Sequence, residues 1–310
     1  MNVADRSLRR LTEWRSAKGF RVRTQLKPYL LLLPAFFFLT MFTYYPMVKV
    51  LRQSMFTKPH GERAEIFVGA GNYARMFRDM AFQKAMKNNG LYALGTVVPS
   101  IVLALALALL LNRSNRFNNF IRSLFFFPTL IPLVAAAGLW WFFFFPGYGL
   151  LDYYLAKLGF SETHWLGDSD IALYSLMLLT VWKNAGYYMV FFLAGLQGIP
   201  QDVTEAAVIE GANWWQQLRY VTLPLLRPTT AFVLVIAFMQ MLSNVDHVIV
   251  MTKGGPQNST NLLLFYIYQN LNEFYDVGKA SAATVLNVVI LLAVSIVGLR
   301  VLERGIHYEI

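Results

Sequence analysis

Six long apolar blocks dominate the sequence and limit what the chain can fold into. Each has about 20 residues, the length that an α-helix needs to cross a hydrocarbon core roughly 30 Å thick. Lipid offers the backbone no hydrogen bonds, so each block is predicted to be a transmembrane α-helix. The blocks are 29–48, 89–111, 124–145, 171–196, 229–251 and 278–302.

Composition supports an all-α integral membrane protein with six transmembrane helices. Apolar residues make up 56% of the chain and charged residues only 14%, whereas soluble domains are about 45–50% apolar and 25% charged. The chain has no cysteine, which excludes disulfides, cysteine-ligated zinc and a thiol nucleophile. The net charge of +10 is expected to mark cytoplasmic segments and not a nucleic-acid partner.

The distribution of Lys and Arg predicts the orientation. Basic residues are dense in the segment 1–27, in the link between the second and third blocks and after the sixth block. We therefore expect both termini and the loop 198–228 in the cytoplasm, with a tail over 1–27 and a six-span domain over 28–310. The tail is either an amphipathic surface helix or a plain topology signal. The loop 52–87 is also basic, which weakens the contrast in Lys and Arg content between the two sides of the membrane.

The loop 198–228 is predicted to form two short helices. Pro200 favours a helix start. Gly211 stops that helix, because glycine readily takes a positive φ. A second helix is expected over 213–221, ended by Pro224. The result is a cytoplasmic helix-turn-helix close to the membrane.

Two interpretations of this loop remain open on composition. The first helix can be a handle for a partner, because Glu205 and Glu210 can pair with basic groups and the small Ala206 and Ala207 allow close approach. It can equally be an ordinary connection between spans.

A resemblance favours the handle. The stretch from Glu205 to Ala212, followed by Leu223-Pro224, is similar to the EAA motif of membrane subunits of binding-protein-dependent ABC importers. Glu210 stands where Asp is usual, and Leu218 where Phe is common. The stretches TKGGP at 252–256 and DVGKASA at 276–282 resemble the sugar-permease branch.

The resemblance implies a permease subunit that carries a sugar or oligosaccharide across a bacterial inner membrane. The implied partners are a second homologous permease, two ATP-binding cassette subunits that hold ATP and magnesium, an extracytoplasmic binding protein and membrane lipid. The alternative solute is glycerol-3-phosphate or a phosphodiester. The residues implied to dock on the ATPase subunit are Glu205, Ala206, Ala207, Glu210 and Gly211.

Polar residues within the fourth and fifth blocks are candidates for the substrate path, because polar groups in spans tend to face a cavity. In the fifth block they recur at i, i+3, i+4 and i+7, which is one helix face. The candidates are Gln240, Ser243, Asn244, His247, Lys183 and Tyr187. The alternatives are hydrogen bonds between helices or positions in an interfacial aromatic belt.

Lys183 has two open interpretations. Its ammonium can hold an anionic solute, or it can extend to the outer headgroups. The second is favoured.

Other function classes fit less well. The chain has no GxxxxGK loop, so ATP hydrolysis by its own P-loop is excluded, and no cofactor is expected. The four histidines lack metal-ligand spacing. An ion-coupled secondary transporter would favour repeats and in-span acids, of which Asp246 is one candidate. A membrane-embedded enzyme would need clustered titratable groups.

Overall fold

The computed structural model describes residue 29, residues 31–58 and residues 64–305, with side chains up to residue 300. The predicted basic tail, 1–27, lies outside the described residues. The described chain is mostly helical, as predicted, and divides into two compact units after Gln53.

The described part of the first unit is the helix α1, Leu31–Gln53, apart from residue 29. It has 23 residues with a mean hydropathy of 1.6, which is long and apolar enough to cross a membrane. A π-helical turn occupies Thr40–Tyr44. None of the described residues of α1 is buried.

The second unit holds a short antiparallel sheet, which the sequence did not predict, and twelve helices among its described residues. Strand β1 is Phe56–Thr57 and strand β2 is Ile66–Phe67, with Phe56 opposite Phe67. The helices are α2 (Gly71–Arg78), α3 (Met80–Leu110), α4 (Arg116–Leu130), α5 (Leu133–Phe143), α6 (Leu150–Lys157), α7 (Ala172–Gln197), α8 (Gln201–Ile209), α9 (Trp214–Leu225), α10 (Arg227–Ser243), α11 (Asp246–Met251), α12 (Leu263–Asn272) and α13 (Val277–Gly305).

Four helices in the described chain are long and apolar enough to cross a membrane: α1, α3, α7 and α13. Two further stretches are bent helix pairs. The pair α4 and α5 turns by 100°, and the pair α9 and α10 turns by 64°. The described chain therefore contains four candidate spans, or up to six if each bent pair is one span.

The structure corrects two of the predicted helices. The block 124–145 is not one helix, because the chain breaks between Leu130 and Leu133. Pro132 explains the break, since proline pushes the preceding residue out of the α conformation and Ile131 is extended with φ −76° and ψ 127°. The block 229–251 is also interrupted, between Ser243 and Asp246.

The core is built on α3, which packs along α7. Small residues on α3, such as Ala104 and Ala108, are fully buried and bring the two helices close. Tyr188 and Phe192 from α7 fill the space beside them. Close packing of this kind drives helix association in lipid, where the hydrophobic effect between helices is lost.

An ion pair connects the start of α3 to α13. The Asp79 carboxylate accepts hydrogen bonds from Lys279 Nζ at 3.0 Å and Tyr266 Oη at 2.9 Å. Burial raises the pKa of Asp79, but these bonds and one from the Ala81 N–H outweigh it and leave that pKa below its usual value. The carboxylate is therefore held ionised and fixes the start of α3.

Gly278, at the start of α13, lies against strand β1. A Cβ atom there would come within 2.5 Å of the Phe56 carbonyl oxygen, and Ala282, one turn later, is fully buried. The small pair Gly278 and Ala282 therefore serves packing inside this chain.

Gly186 on α7 lies against the backbone of α4. A Cβ atom at Gly186 would lie 1.8 Å from the carbonyl oxygen of Phe125 in α4. Since the obstacle is backbone, we expect Gly186→Ala to force α4 and α7 apart and to cost roughly 1–3 kcal/mol or more of stability. The measurement is the thermal unfolding midpoint of the detergent-solubilised protein.

Gly138→Ala in α5 is the matched control, because nothing described lies within 4 Å of a Cβ atom at that position. Equal midpoints for the two variants would contradict the close contact.

Candidate functional site

The corner between α4 and α5 leaves backbone carbonyls without helical donors. The last carbonyls of any helix lack intrahelical partners, and within a bilayer each unsatisfied group costs several kcal/mol. The acceptors at this corner are the carbonyl oxygens of Pro128, Thr129 and Ile131, of which that of Pro128 also accepts from the Ile131 N–H at 3.3 Å. The structure supplies their donor from another helix.

That donor is Lys183 of α7. Its ammonium donates to the carbonyl oxygens of Ile131 at 2.5 Å, Pro128 at 3.0 Å and Thr129 at 3.4 Å. An ammonium has three N–H donors, so all three are engaged. A cation is also favoured at the negative C-terminal end of a helix. The charge of Lys183 is therefore held at the corner of α4 and α5, and its extension to the outer headgroups stays a prediction.

A cavity of about 420 Å³ opens beside this corner, within the range of small-molecule sites. Five of the six residues predicted for the substrate path line it together. These are Lys183, Tyr187, Gln240, Asn244 and His247. Helical spacing in the sequence had grouped only the candidates of the fifth block. In the structure, Lys183 and Tyr187 of α7 line the same cavity.

Ser243 is the predicted path residue that does not line this cavity. The prediction assumed an unbroken helix, but α10 ends at Ser243 and Asn244 is extended, with φ −112° and ψ 128°. Ser243, in the last turn of α10, is exposed. Asn244 and His247, which follow the break, line the cavity.

The sequence analysis missed further polar residues of the cavity wall. Tyr92 of α3, Thr129 of α4 and Thr180 and Asn184 of α7 also line it. Tyr92 and Thr180 could have been flagged as polar groups inside predicted spans. These residues meet because α3 packs near α7 and α11. No pattern in the neighbouring sequence predicts that packing.

Tyr92, Thr180 and His247 form a buried hydrogen-bond network. The Tyr92 hydroxyl lies 2.5 Å from Thr180 Oγ1 and 2.8 Å from His247 Nε2. His247 Nδ1 is buried and has no partner among the described residues. The wall thus offers hydroxyl, amide and imidazole groups, and its lining includes no carboxylate. Such a surface suits a ligand rich in hydroxyl groups.

The loop after α7 contains the two predicted helices, α8 and α9. Gly211 ends α8 with φ +80°. Its N–H donates to Val208 O at 3.0 Å, and the Ala212 N–H donates to Ala207 O at 3.0 Å. This pair of bonds is the Schellman motif, which requires a left-handed residue and so favours glycine.

The second helix is longer than predicted. Asn213 caps its start in a reciprocal pair with Gln216. The helix then continues through Pro224 to Leu225. A π-helical turn at Leu218–Thr222 comes just before that proline, and such a turn changes the register of the backbone hydrogen bonds.

The predicted docking residues lie on α8 and at its C-terminal end. None of the residues of α8 is buried. Glu205, Ala206, Glu210 and Gly211 are exposed, and Ala207 is partly covered. Gln201 Nε2 donates to Glu205 Oε1 at 2.7 Å, which fixes that carboxylate along the helix.

Comparison with known proteins identifies the family. The profile of the binding-protein-dependent transport system inner membrane component matches residues 100–308, more than half of the chain. The chain belongs to this family, which confirms the resemblance found in the sequence.

Three relatives are similar over nearly their whole length. The sulfoquinovosyl glycerol transport system permease protein SmoG of Agrobacterium fabrum is 33% identical over 98% of this chain and 97% of its own. The sn-glycerol-3-phosphate transport system permease protein UgpA of Yersinia pestis is 31% identical, covering 91% and 96%. The trehalose/maltose transport system permease protein MalF of Thermococcus litoralis is 31% identical, covering 88% and 92%.

A solved structure shares the fold. A chain of a bacterial ABC transporter involved in the import of the acidic polysaccharide alginate superimposes with a TM-score of 0.80 at 24% identity. The match covers 92% of this chain and 99% of that one. A second structure, the alginate transporter in complex with an alginate pentasaccharide-bound periplasmic protein, gives a TM-score of 0.78 at 23% identity, covering 90% and 94%.

We expect Lys183→Met to destabilise the fold, because the backbone carbonyls at the α4–α5 corner would lose the ammonium that donates to them. The unfolding midpoint in detergent should fall clearly. Lys157→Met is the matched control, because Lys157 is exposed on α6. An unchanged midpoint for Lys183→Met, combined with selective loss of transport of an anionic solute, would show that the ammonium serves the solute instead.

Proposed function

We propose that the chain is one permease subunit of an ATP-driven importer that carries a sugar or oligosaccharide delivered by an extracytoplasmic binding protein. The observation that carries the proposal is the exposed α8 helix, closed by the Schellman motif at Gly211, in a chain of this family. A rigid, accessible helix between two spans suits the transfer of force from a partner subunit.

The topology that we propose has six spans: α1, α3, the bent pair of α4 and α5, α7, α10 and α13. Both termini and the loop from α8 to α9 lie in the cytoplasm. The density of Lys and Arg in the basic tail and in the link between α3 and α4 supports the cytoplasmic placement of these segments. The loop is then the cytoplasmic helix-turn-helix.

In the proposed assembly, two ATP-binding cassette subunits bind ATP and magnesium, and a second homologous permease completes the membrane part. Glu205 and Glu210 pair with basic groups of one ATPase subunit, while Ala206 and Ala207 let its surface approach α8. Closure of the ATPase subunits moves α8, which biases the spans between two states open to opposite sides. This chain supplies no ATPase chemistry of its own.

The proposed solute path is the cavity beside the α4–α5 corner. Gln240 and Asn244 offer amides to solute hydroxyls, and Tyr187 offers a ring face to C–H groups. The ammonium of Lys183 is engaged by three carbonyls, which favours a neutral sugar over the alternative, a glycerol phosphate or phosphodiester.

Gly211→Pro is expected to release the ATPase subunits. Proline cannot take a φ of +80° and has no N–H to donate to Val208, so the end of α8 must unfold. We expect the ATPase subunits and the second permease to co-purify with the tagged wild-type chain from its native membrane, and recovery of the ATPase subunits to fall at least several-fold in the variant.

Gly198→Ala, at the other end of the same loop, is the control because Gly198 has a φ of −82°. Purification of the wild-type chain alone, with uptake that collapses with a proton or sodium gradient, would instead indicate an ion-coupled secondary transporter.

Asn244→Leu is expected to lower solute uptake at least tenfold while the complex still assembles, because the amide that faces the cavity is lost. Uptake of labelled trehalose, maltose and sn-glycerol-3-phosphate by vesicles containing the complex provides the measurement. Ser243→Leu is the matched control, since Ser243 is exposed and does not line the cavity. Equal uptake in the two variants would remove Asn244 from the path.

A further inference from the structure

Helix α9 is inclined to a membrane span and joined to it almost directly. Only Leu226 separates Leu225, the last residue of α9, from Arg227, the first residue of α10. The two axes differ by 64°, and Leu226 is almost fully buried, with 1% of its surface exposed. The position of α9 relative to the bilayer therefore follows from that of α10.

The inclination limits how far α9 extends along the axis of α10. Its twelve residues, 214–225, span roughly 18 Å at 1.5 Å per residue. Inclined by 64°, this length rises only about 8 Å along the axis of α10. The headgroup layer on each side of the hydrocarbon core is about 5–8 Å thick. The whole of α9 fits within or at the edge of that layer.

The side chains that α9 exposes are those found at membrane interfaces. Trp214, Trp215 and Tyr220 are 66%, 67% and 70% exposed. The two indole rings stack with centroids 5.3 Å apart, and the Arg219 guanidinium lies 5.9 Å from the Tyr220 ring. Trp and Tyr concentrate at headgroup level because one part of the ring system is apolar and another polar, and arginine is attracted to anionic lipid.

Leu218 anchors α9 to the protein. It is buried, with 8% of its surface exposed, and belongs to the π-helical turn. It follows Trp214 by four residues and Trp215 by three, so it lies on the same side of the helix as the two indoles. The exposed aromatic and basic side chains therefore flank this anchor.

Charge separates α9 from its neighbour α8. Helix α8 carries Asp202 and Glu205, whereas the sequence of α9, WWQQLRYVTLPL, has no acidic residue and one arginine. An acidic surface is repelled by anionic lipid, and a basic aromatic surface is attracted to it. The two halves of the loop are therefore suited to different partners.

We propose that α9 is an interfacial helix whose exposed face, formed by Trp214, Trp215, Arg219 and Tyr220, rests on phospholipid headgroups. It acts as a support that holds the base of α10 and the end of α8 at a fixed depth. The inference requires only that α10 crosses the membrane, so it does not depend on the proposed importer function.

The absence of cysteine allows a direct test of depth by spin labelling. Trp215→Cys and Tyr220→Cys carry nitroxide labels on α9, and Ile209→Cys, at a position 86% exposed on α8, is the matched control. Each complex is reconstituted with its partner subunits in vesicles of phosphatidylcholine with a minority of phosphatidylglycerol. Power saturation then compares collisions with oxygen, which prefers lipid, and with a water-soluble nickel chelate.

We expect the labels on α9 to collide at least several-fold more with oxygen, relative to nickel, than the label on α8. Equal ratios at all positions would overturn the proposal. Shielding of the α9 labels from both reagents only when the ATPase subunits are present would also overturn it, because the face would then belong to a protein partner.

Intrinsic fluorescence provides a second measurement that does not require cysteine variants. Lipids brominated near the glycerol end of the acyl chain should quench part of the tryptophan emission of the wild-type complex. In the Trp214→Phe, Trp215→Phe double variant that quenched part should shrink clearly. An identical quenched fraction in the two proteins would contradict contact between α9 and lipid.

Discussion

The demand that every backbone hydrogen bond be satisfied within the membrane governs this structure. A continuous helix meets the demand internally, but the corner between α4 and α5 breaks a helix within an apolar block. Lys183 donates to three backbone carbonyls at this corner, one of which, that of Pro128, also accepts from the Ile131 N–H. The cavity lies beside the corner, and Lys183 belongs to its lining.

The arrangement links the cavity to the loop through rigid elements. Helix α7 carries Lys183 and Tyr187 at the cavity and ends at Gln197, a few residues before α8 begins. Helix α10 carries Gln240 at the cavity and begins directly after α9. Both spans that flank the loop therefore reach the cavity wall, which supports movement of the loop as the input to a change at the proposed path.

Much of the fold was predictable because each helix that crosses a membrane needs about 20 consecutive, mostly apolar residues. The residue at the glycine bend was predictable for a local reason, since Gly211 adopts a positive φ that other residues take up only with strain. The cavity residues were partly predictable, because polar groups such as Gln240 and Asn244 are costly in lipid and need a reason to be there.

The remaining features depend on contacts between distant segments. Pro132 marks the corner in the sequence, but nothing near it in the chain indicates that Lys183, about fifty residues later, provides the donors. The interruption at Asn244 has neither a proline nor a glycine at the helix end, so helical spacing suggested a continuous face through it. Tyr92 lines the cavity because of how α3 packs. No pattern in the sequence around Tyr92 predicts that packing.

The contact at Gly186 has a consequence for engineering the transported solute. Gly186 lies one turn beyond Lys183, and with both positions locked to α4, that side of the cavity acts as a rigid wall that cannot reshape around a new side chain. The opposite side is built on the interrupted segment around Asn244, where extended backbone can tolerate a change in side-chain volume. Libraries that aim to alter solute preference should therefore diversify Gln240 and Asn244 and leave the α7 wall intact.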